Sequence, residues 1–248
     1  MIAKTLANAL DLLDYFTHEA PTWGVRELAK ASNVHPAIVQ RALTTFASRQ
    51  FLTKDPVSQK YTLGARFLEL AQVFRGHLSL SDMIRPMMQE ISELSGETAF
   101  LCWLMQSQAV CIEICEAPDS IRFSIEVGTR FPLHAGANAR VILAHLDEKT
   151  REGLLQGGLE PLTPDTITEP ARMRDELALI RERGWSSSLG EFRADTFGLA
   201  VPLFSPGGNI VGSLSIAGPA YRRNEAAFPE LIARMNAMRP RMESCLSP

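Results

Sequence analysis

The side chains best suited to metal binding are four cysteines, of which Cys111 and Cys115 lie closest together along the chain. They fall in the run AVCIEIC, whose apolar character predicts a β-strand. Four residues of strand would separate the two positions by about 13 Å, which is too far for one tetrahedral ion. The sequence therefore predicts no metal site, and we expect no cofactor.

His134 is the residue considered as a general base. No nucleophile motif such as Gly-x-Ser-x-Gly accompanies this histidine, so a hydrogen bond within its own loop is the expected role. We accordingly predict no catalytic residue and no enzymatic activity.

A third chemistry is available between residues 36 and 50, where an apolar stripe recurs at helical spacing. Val39, Leu43 and Phe46 would face inward on such a helix, and the opposite face would carry glutamine, arginine and threonine. Glutamine pairs with adenine and arginine with guanine in the major groove of DNA; a solvated helix face is the alternative interpretation. Basic residues outside this helix suit phosphate contacts, which fix register without recognising sequence. The predicted DNA-binding residues are Arg26, Gln40, Arg41, Thr44, Thr45, Lys54 and Lys60.

The elements around this helix have the order of a winged helix-turn-helix. A short amphipathic helix over residues 25–31 precedes a four-residue connection and Pro36, which suits a first helical position. Two short helices joined this closely, the second with a polar outer face, are typical of a helix-turn-helix, which we assign to about 24–44. Two short strands around the turn 55–59 predict a wing at about 51–63.

The charge distribution separates this segment from the rest of the 248-residue chain. The net charge is −3, but residues 1–64 hold seven basic and five acidic side chains, for +2, which leaves −5 for the remainder. A charge of +2 attracts DNA only weakly, so we expect a homo-oligomer that binds a roughly palindromic double-stranded operator with steep salt dependence. No apolar run approaches the roughly 18 residues of a membrane span, so we expect a cytoplasmic protein with no membrane partner.

From residue 81 onward, strand-like and helical segments alternate, which indicates an α+β fold with a mainly antiparallel sheet. The predicted strands are 99–105, 109–116, 121–127, 196–204 and 209–217, and the predicted helices are about 137–146, 147–156, 170–183 and 224–245. Each of the last two strands has a bulky face and a face of Gly, Ala, Ser and Thr. Such a small face either leaves room for a ligand or lets a helix pack closely. The loop before the helix at 137 would offer free N–H groups to a carboxylate.

Several distant motifs together resemble the IclR family of bacterial transcriptional regulators. They are, in chain order, DPVSQKYTLG from Asp55, FPLHA from Phe131, RERGW from Arg181 and GSLSIAGP from Gly212. The resemblance implies a winged helix-turn-helix DNA-binding domain at 2–64, a linker helix at 65–80 and a GAF-like effector-binding domain at 81–248, assembled as a dimer or tetramer. It also implies that the protein represses or activates genes according to whether a metabolite is bound.

The resemblance further implies where the effector binds. The family's ligand-lining positions correspond to Gly136, Ala137 and Asn138 in a loop, Phe123 and Phe131 in an aromatic wall, and Ser188, Thr196, Gly198 and Ser215 in a polar floor. Relatives often carry an acidic residue at the position of Ser188, cysteine at that of Gly198 and serine at that of Ala217. These departures predict a roomier, less negative pocket for an organic or aromatic acid of more than three carbons.

Arginines near this loop are a further source of charge for an anion. Arg122, Arg140 and Arg193 could pair with it, but for each of them a surface position is the expectation. Two alternatives to a regulator are a metabolite-binding module or enzyme whose helix-turn-helix serves protein contacts, and a purely structural dimerisation protein. The second would not need strands with a small face.

Overall fold

The computed structural model of the protein describes residues 3–17, 19–77, 83–117 and 125–245. The chain divides into two compact units, Met1–Gly76 and His77–Pro248. Within the described residues, no helix is both long enough and apolar enough to span a membrane.

The first unit is built around a small core in which Leu28, Val39 and Leu43 are fully buried. Its elements are α1 Lys4–Asp11, a 3-10 turn Leu12–Tyr15, α2 Val25–Ser32, α3 Pro36–Ser48, β1 Leu52–Lys54, β2 Tyr61–Leu63 and α4 Arg66–His77. Strands β1 and β2 pair antiparallel and form the hairpin predicted as a wing. Trp23 extends this hairpin through two backbone hydrogen bonds to Tyr61.

The turn between α2 and α3 follows from two residues with special backbone preferences. Asn33 ends α2 in the left-handed conformation, at φ 55°, which asparagine tolerates better than most residues. Pro36 then opens α3, where its missing N–H is not needed. The turn thereby joins the two helices as the sequence predicts.

The second unit is a sheet covered by helices on both faces. Its elements are α5 Arg85–Ser95, β3 Thr98–Met105, β4 Gln108–Cys115, β5 Arg130–Pro132, α6 Ala137–His145, α7 Glu148–Gln156, α8 Pro170–Arg183, β6 Ser186–Leu189, β7 Thr196–Phe204, β8 Ile210–Pro219 and α9 Phe228–Cys245. The described strands follow the order β5-β4-β3-β8-β7-β6, and every neighbouring pair is antiparallel. This confirms the predicted α+β class with an antiparallel sheet.

The two faces of β7 and β8 enter different cores, as their alternation predicts. Leu199, Val201 and Leu214 pack in one core with residues of α5 and α9. Ala200 and Ala217 lie in the other core, which α6 and α8 cover. The small face is therefore the face on which α6 lies.

The strand predicted at 121–127 is wrong for residues 125–127, and residues 121–124 lie outside the described part of the chain. Residues 126–129 form a turn, in which the Thr129 N–H donates to the carbonyl of Glu126 and Gly128 has φ +95°. The strand that follows, β5, is only three residues long, too short to show a periodicity. The sequence also gave no signal for β6, because Ser-Ser-Ser-Leu carries no β-branched or aromatic side chain.

Close approach of β8 to β3 depends on Gly212, because a Cβ there would lie 2.1 Å from the carbonyl oxygen of Cys102. We predict that Gly212→Ala lowers the free energy of unfolding by about 1–3 kcal/mol, the usual cost of overpacking. The matched control is Gly207→Ala in the β7–β8 turn, where the nearest atom is 3.6 Å away. Urea unfolding of both variants measures the difference, and equal stabilities would contradict this account of the β3–β8 contact.

Candidate functional site

The exposed face of α3 carries the polar side chains that the sequence assigns to DNA bases. Gln40, Arg41, Thr44 and Thr45 are all exposed. The Gln40 amide donates to Thr44 Oγ1 at 2.9 Å and to the hydroxyl of Tyr61 at 3.5 Å, so it lies between α3 and the wing. The Thr45 hydroxyl donates back to the carbonyl of Arg41 at 2.8 Å, so its proton is already used within the helix.

The three predicted phosphate contacts lie on α2 and on the wing. Arg26 and Lys54 are exposed, and the Lys54 ammonium is 5.6 Å from the centre of the Tyr61 ring. Lys60 is instead paired, with its Nζ 3.0 Å from Glu27 Oε1. A carboxylate therefore lies beside one of the cations that the sequence assigns to DNA.

Glu27 is held in this position by the start of α2. Its other oxygen accepts the Gly24 N–H at 3.0 Å, which caps the helix. The hydrogen bond from Gly24, followed by that from Lys60, lowers the pKa of the Glu27 carboxyl, so it is charged at neutral pH. Sequence reasoning missed this residue, although its spacing of three from the residue before the helix is a known capping signal.

In the second unit, the start of α6 lies directly on the small face of the sheet. The Ala137 N–H donates to Ser188 Oγ at 3.0 Å. A Cβ at Gly198 would lie 3.3 Å from the Cβ of Ala137 and 3.0 Å from Ser188 Oγ. A larger residue at Gly198 would press on both neighbours, and three of the predicted effector residues lie together.

One of the N–H groups predicted to be free in this loop has a partner within the chain, so that expectation is wrong for Ala137, which donates to Ser188. The backbone of Gly136 lies close enough to Glu191 to lower the pKa of its carboxyl, although burial raises that pKa overall. Gly136 has φ +86°, a conformation that favours glycine. The Asn138 amide donates to Cys102 Sγ at 3.4 Å, which fixes the third loop residue on β3.

Arg140 is buried, with 2% of its surface exposed, so the expectation of a surface position is wrong. Its guanidinium forms an ion pair with Glu191 and donates to the carbonyl of Ser187 at 2.5 Å. Burial raises the pKa of the Glu191 carboxyl, and the charge of Arg140 partly opposes this shift. Arg193 is exposed, and Arg122 lies outside the described residues.

The remaining predicted positions are Phe123 and Phe131 of the aromatic wall and Thr196 of the polar floor. Phe131 is buried, with its ring 6.1 Å from that of Phe100 and 4.6 Å from that of Phe192. The Thr196 hydroxyl donates to the carbonyl of Arg193 at 2.6 Å, at the start of β7. Phe123 lies outside the described residues.

Buried hydroxyls on the small face have no hydrogen-bond partner among the described residues. They are those of Thr98, Ser186, Ser213 and Ser215. Cross-strand pairing joins Ser186 to Ala200, Ala200 to Ser215, and Thr98 to Ala217, so these residues share one face. A buried hydroxyl without a partner costs about 1–3 kcal/mol, so the row is an unsatisfied polar stretch of the contact between α6 and the sheet. Sequence reasoning assigned only Ser215 to the site, since the pairing of β6 and β3 with this region was not evident.

No metal site is evident in the described parts of the chain. No group of three or more His, Cys, Asp or Glu side chains there is arranged to hold a metal ion. His134 Nε2 is hydrogen-bonded to the carbonyl of Glu160 at 2.9 Å, a partner 26 residues away rather than in its own loop.

Comparison with known proteins matches both units to family models. Residues 5–56 match the IclR helix-turn-helix domain, and residues 74–240 match the bacterial transcriptional regulator IclR C-terminal domain. The chain is 28% identical to the HTH-type transcriptional regulator KipR of Bacillus subtilis, over 94% of this chain and 92% of that protein. It is 30% identical to the HTH-type transcriptional regulator BhcR of Paracoccus denitrificans, over 90% of this chain and 80% of that protein.

A solved structure of similar fold contains a small acid. It is an IclR homologue from Microbacterium hydrocarbonoxydans in complex with 4-hydroxybenzoate. The TM-score is 0.81 at 22% sequence identity, with 97% of this chain and 99% of that chain covered. At this identity the likeness concerns the fold.

The unpartnered hydroxyl of Ser215 leads to a prediction about stability. Because this hydroxyl has no partner to lose among the described residues, Ser215→Ala should leave the free energy of unfolding unchanged or slightly higher. The matched control is Ser92→Ala, which removes a buried hydroxyl that donates to the carbonyl of Glu97 at 2.9 Å and should cost about 1–3 kcal/mol. Denaturant unfolding compares the two, and an equal loss in Ser215→Ala would show that its hydroxyl has a partner within the protein.

The Glu27–Lys60 pair leads to a prediction about DNA affinity. Glu27→Gln keeps an oxygen for the Gly24 N–H but removes the charge that holds Lys60, so affinity for duplex DNA should rise about two- to fivefold. Glu69→Gln makes the same charge change beside Arg66 on α4 and serves as the control. Fluorescence anisotropy at fixed salt measures both, and a rise no larger than that of the control would contradict a role for Lys60.

Proposed function

Because this chain belongs to the IclR family of bacterial transcriptional regulators, we propose that it binds a specific operator through α3 and the wing, and that a small organic acid modulates this binding. The family consists of transcriptional regulators and not of enzymes, so the prediction of no enzymatic activity is confirmed. Helix-turn-helix regulators bind DNA.

The row of unpartnered hydroxyls beneath α6 carries the effector part of the proposal. Ser215 and its neighbours offer donors and acceptors in a region closed to bulk solvent, where a hydrogen bond to a ligand contributes more than it would at the surface. Phe131 supports an apolar or aromatic body for that ligand. An acid of more than three carbons that carries polar groups fits this combination.

The chemical class of the effector follows from the residues that replace the family's usual ones. Ser188 brings no charge, and Gly198 and Ala217 bring little volume. The relative whose structure contains 4-hydroxybenzoate supports an acid of about that size. We extend this class to the present chain as a proposal, with loop residues 136–138 as the contact to the acid.

The DNA part of the proposal requires more than one copy of the chain. The net charge of +2 on residues 1–64 gives a single copy few phosphate contacts. A dimer or tetramer presents two α3 helices to half-sites about one helical turn apart. We retain the division into a DNA-binding domain at 2–64, a linker helix at 65–80 and a GAF-like effector domain at 81–248, and a cytoplasmic location, as parts of this proposal.

A gel-shift assay with DNA from upstream of the protein's own gene tests the proposed function. We expect specific binding that Arg41→Ala weakens by about tenfold or more, because a bidentate base contact is lost. Arg174→Ala removes an equal charge from a surface pair with Glu152 in the second unit and should have no effect. Equal affinity of the two variants would contradict the assignment of α3 to base contacts.

The same assay identifies the effector class. We expect 4-hydroxybenzoate or a larger organic acid to shift the binding curve, and its amide analogue to fail. A response only to neutral or cationic compounds would contradict the proposed acid. Binding to a protein partner but to no DNA would favour the alternative of a helix-turn-helix that serves protein contacts.

A further inference from the structure

We propose that Glu191 provides a resident carboxylate at the start of α6, and that an effector acid binds by exchanging its own carboxylate for that of Glu191. This inference rests on the proposed function, since it describes how the effector site works. It assigns to Glu191 and Arg140 a direct part in ligand selection and in the response to the ligand.

The partners of Glu191 are those that a bound organic acid would use. Its carboxylate accepts a hydrogen bond from the Arg140 guanidinium and lies near the backbone of Gly136, which immediately precedes α6. An arginine fork and a helix N-terminus are two common recognition elements for carboxylates. The sequence assigns this loop to the effector, yet a side chain of the protein already fills its strongest anion contacts.

The charges around Arg140 favour replacement of the Glu191 carboxylate by that of the effector over binding of an additional carboxylate. Arg140 Nη2 lies 3.9 Å from Glu176, and Glu176 in turn pairs with Arg183 at 3.0 Å. With Glu191, this cluster holds two cations and two anions, and Arg140 at its centre is 2% exposed. A third carboxylate would be buried without a counter-charge, which is costly, whereas an exchange keeps the cluster neutral.

The cluster also offers more hydrogen-bonding groups than Glu191 uses. The Nε–H of Arg140 is buried and has no partner among the described residues. The buried hydroxyl of Ser186 likewise has no partner among the described residues. Ser186 is the neighbour in sequence of Ser187, whose backbone carbonyl accepts a hydrogen bond from Arg140. These groups are independent of the helix terminus, and they indicate a ligand with more polar atoms than one carboxylate.

Hydrogen bonds and a ring contact join the segment that carries Glu191 to other parts of the site. Displacement of Glu191 would therefore disturb those parts as well. The hydroxyls of Thr163 and Thr166 donate to the carbonyls of Gly190 and Glu191 at 2.6 and 2.7 Å. Phe192, the next residue, packs its ring against the Phe131 wall. Release of Glu191 therefore loosens the β6–β7 connection, the loop 162–166 and the wall together, which converts ligand binding into a change of shape.

Chemical rescue by acetate tests the inference without DNA. Glu191→Ala should lower the melting temperature of the full chain, and sodium acetate should restore about 5 °C or more relative to sodium chloride at equal ionic strength. Acetate should have little effect on the wild type, where Glu191 competes for the site. The matched control is Glu97→Ala, which removes a buried carboxylate paired with Arg222 at 2.9 Å elsewhere in the same unit.

Two further variants test whether the acetate effect requires Arg140 and whether it appears in a variant that folds without acetate. Acetate should have no effect when Arg140→Met accompanies Glu191→Ala, because the cation that holds the carboxylate is gone. If Glu191→Ala does not fold without acetate, Glu191→Gln should still show a larger acetate shift than the wild type. Equal acetate shifts in the wild type, the Glu191 variants and Glu97→Ala would overturn the exchange, as would Glu191 variants that stay insoluble in acetate.

These outcomes are distinguishable from failure of the proposed function. A chain that binds its operator in a gel shift but shows no rescue contradicts only the exchange. A chain that is rescued by acetate but binds no DNA contradicts the regulatory function and leaves the anion site in place.

Discussion

The second unit depends on the close contact between α6 and the small face of its sheet. Gly198 lets the Cβ of Ala137 approach, and Ser188 accepts the N–H of the same residue. A side chain on Gly198 would require Ser188 or the start of α6 to shift by a few tenths of an ångström. Since α6 also carries Arg140 into the interior, the position of the buried charges follows from this contact between two small residues.

Buried charge then imposes its own requirements on the surrounding segments. A guanidinium as buried as that of Arg140 needs a carboxylate and further acceptors, because an unpaired ion in the interior is strongly destabilising. Glu191 and the carbonyl of Ser187 meet this need, although they lie 51 and 47 residues away in the chain. In the first unit Glu27 serves two purposes in a comparable way, since it caps α2 and pairs with Lys60. Both units thus place a carboxylate of the protein where a negatively charged partner is expected to bind.

Local patterns in the sequence account for much of the fold. The apolar stripe of α3, Pro36 at its start and the turn of the wing predict the first unit, because each of these signals acts over a few residues. The two faces of β7 and β8 are evident from alternation for the same reason. The features that the sequence did not predict depend on contacts between residues far apart in the chain. Strand β6 forms because β7 lies beside it, and the charge of Arg140 can be buried because Glu191 pairs with it. The N–H of Ala137 seemed free because its partner, Ser188, comes 51 residues later.

We propose that an acid bound at the start of α6 controls DNA binding. Hydrogen–deuterium exchange of the full chain, with and without an acid that shifts operator binding, tests this most directly. We expect protection to change first in peptides that cover residues 130–140 and 186–200, where α6 meets β6 and β7. Changes confined to α5 and α9, on the opposite face of the sheet, would contradict it.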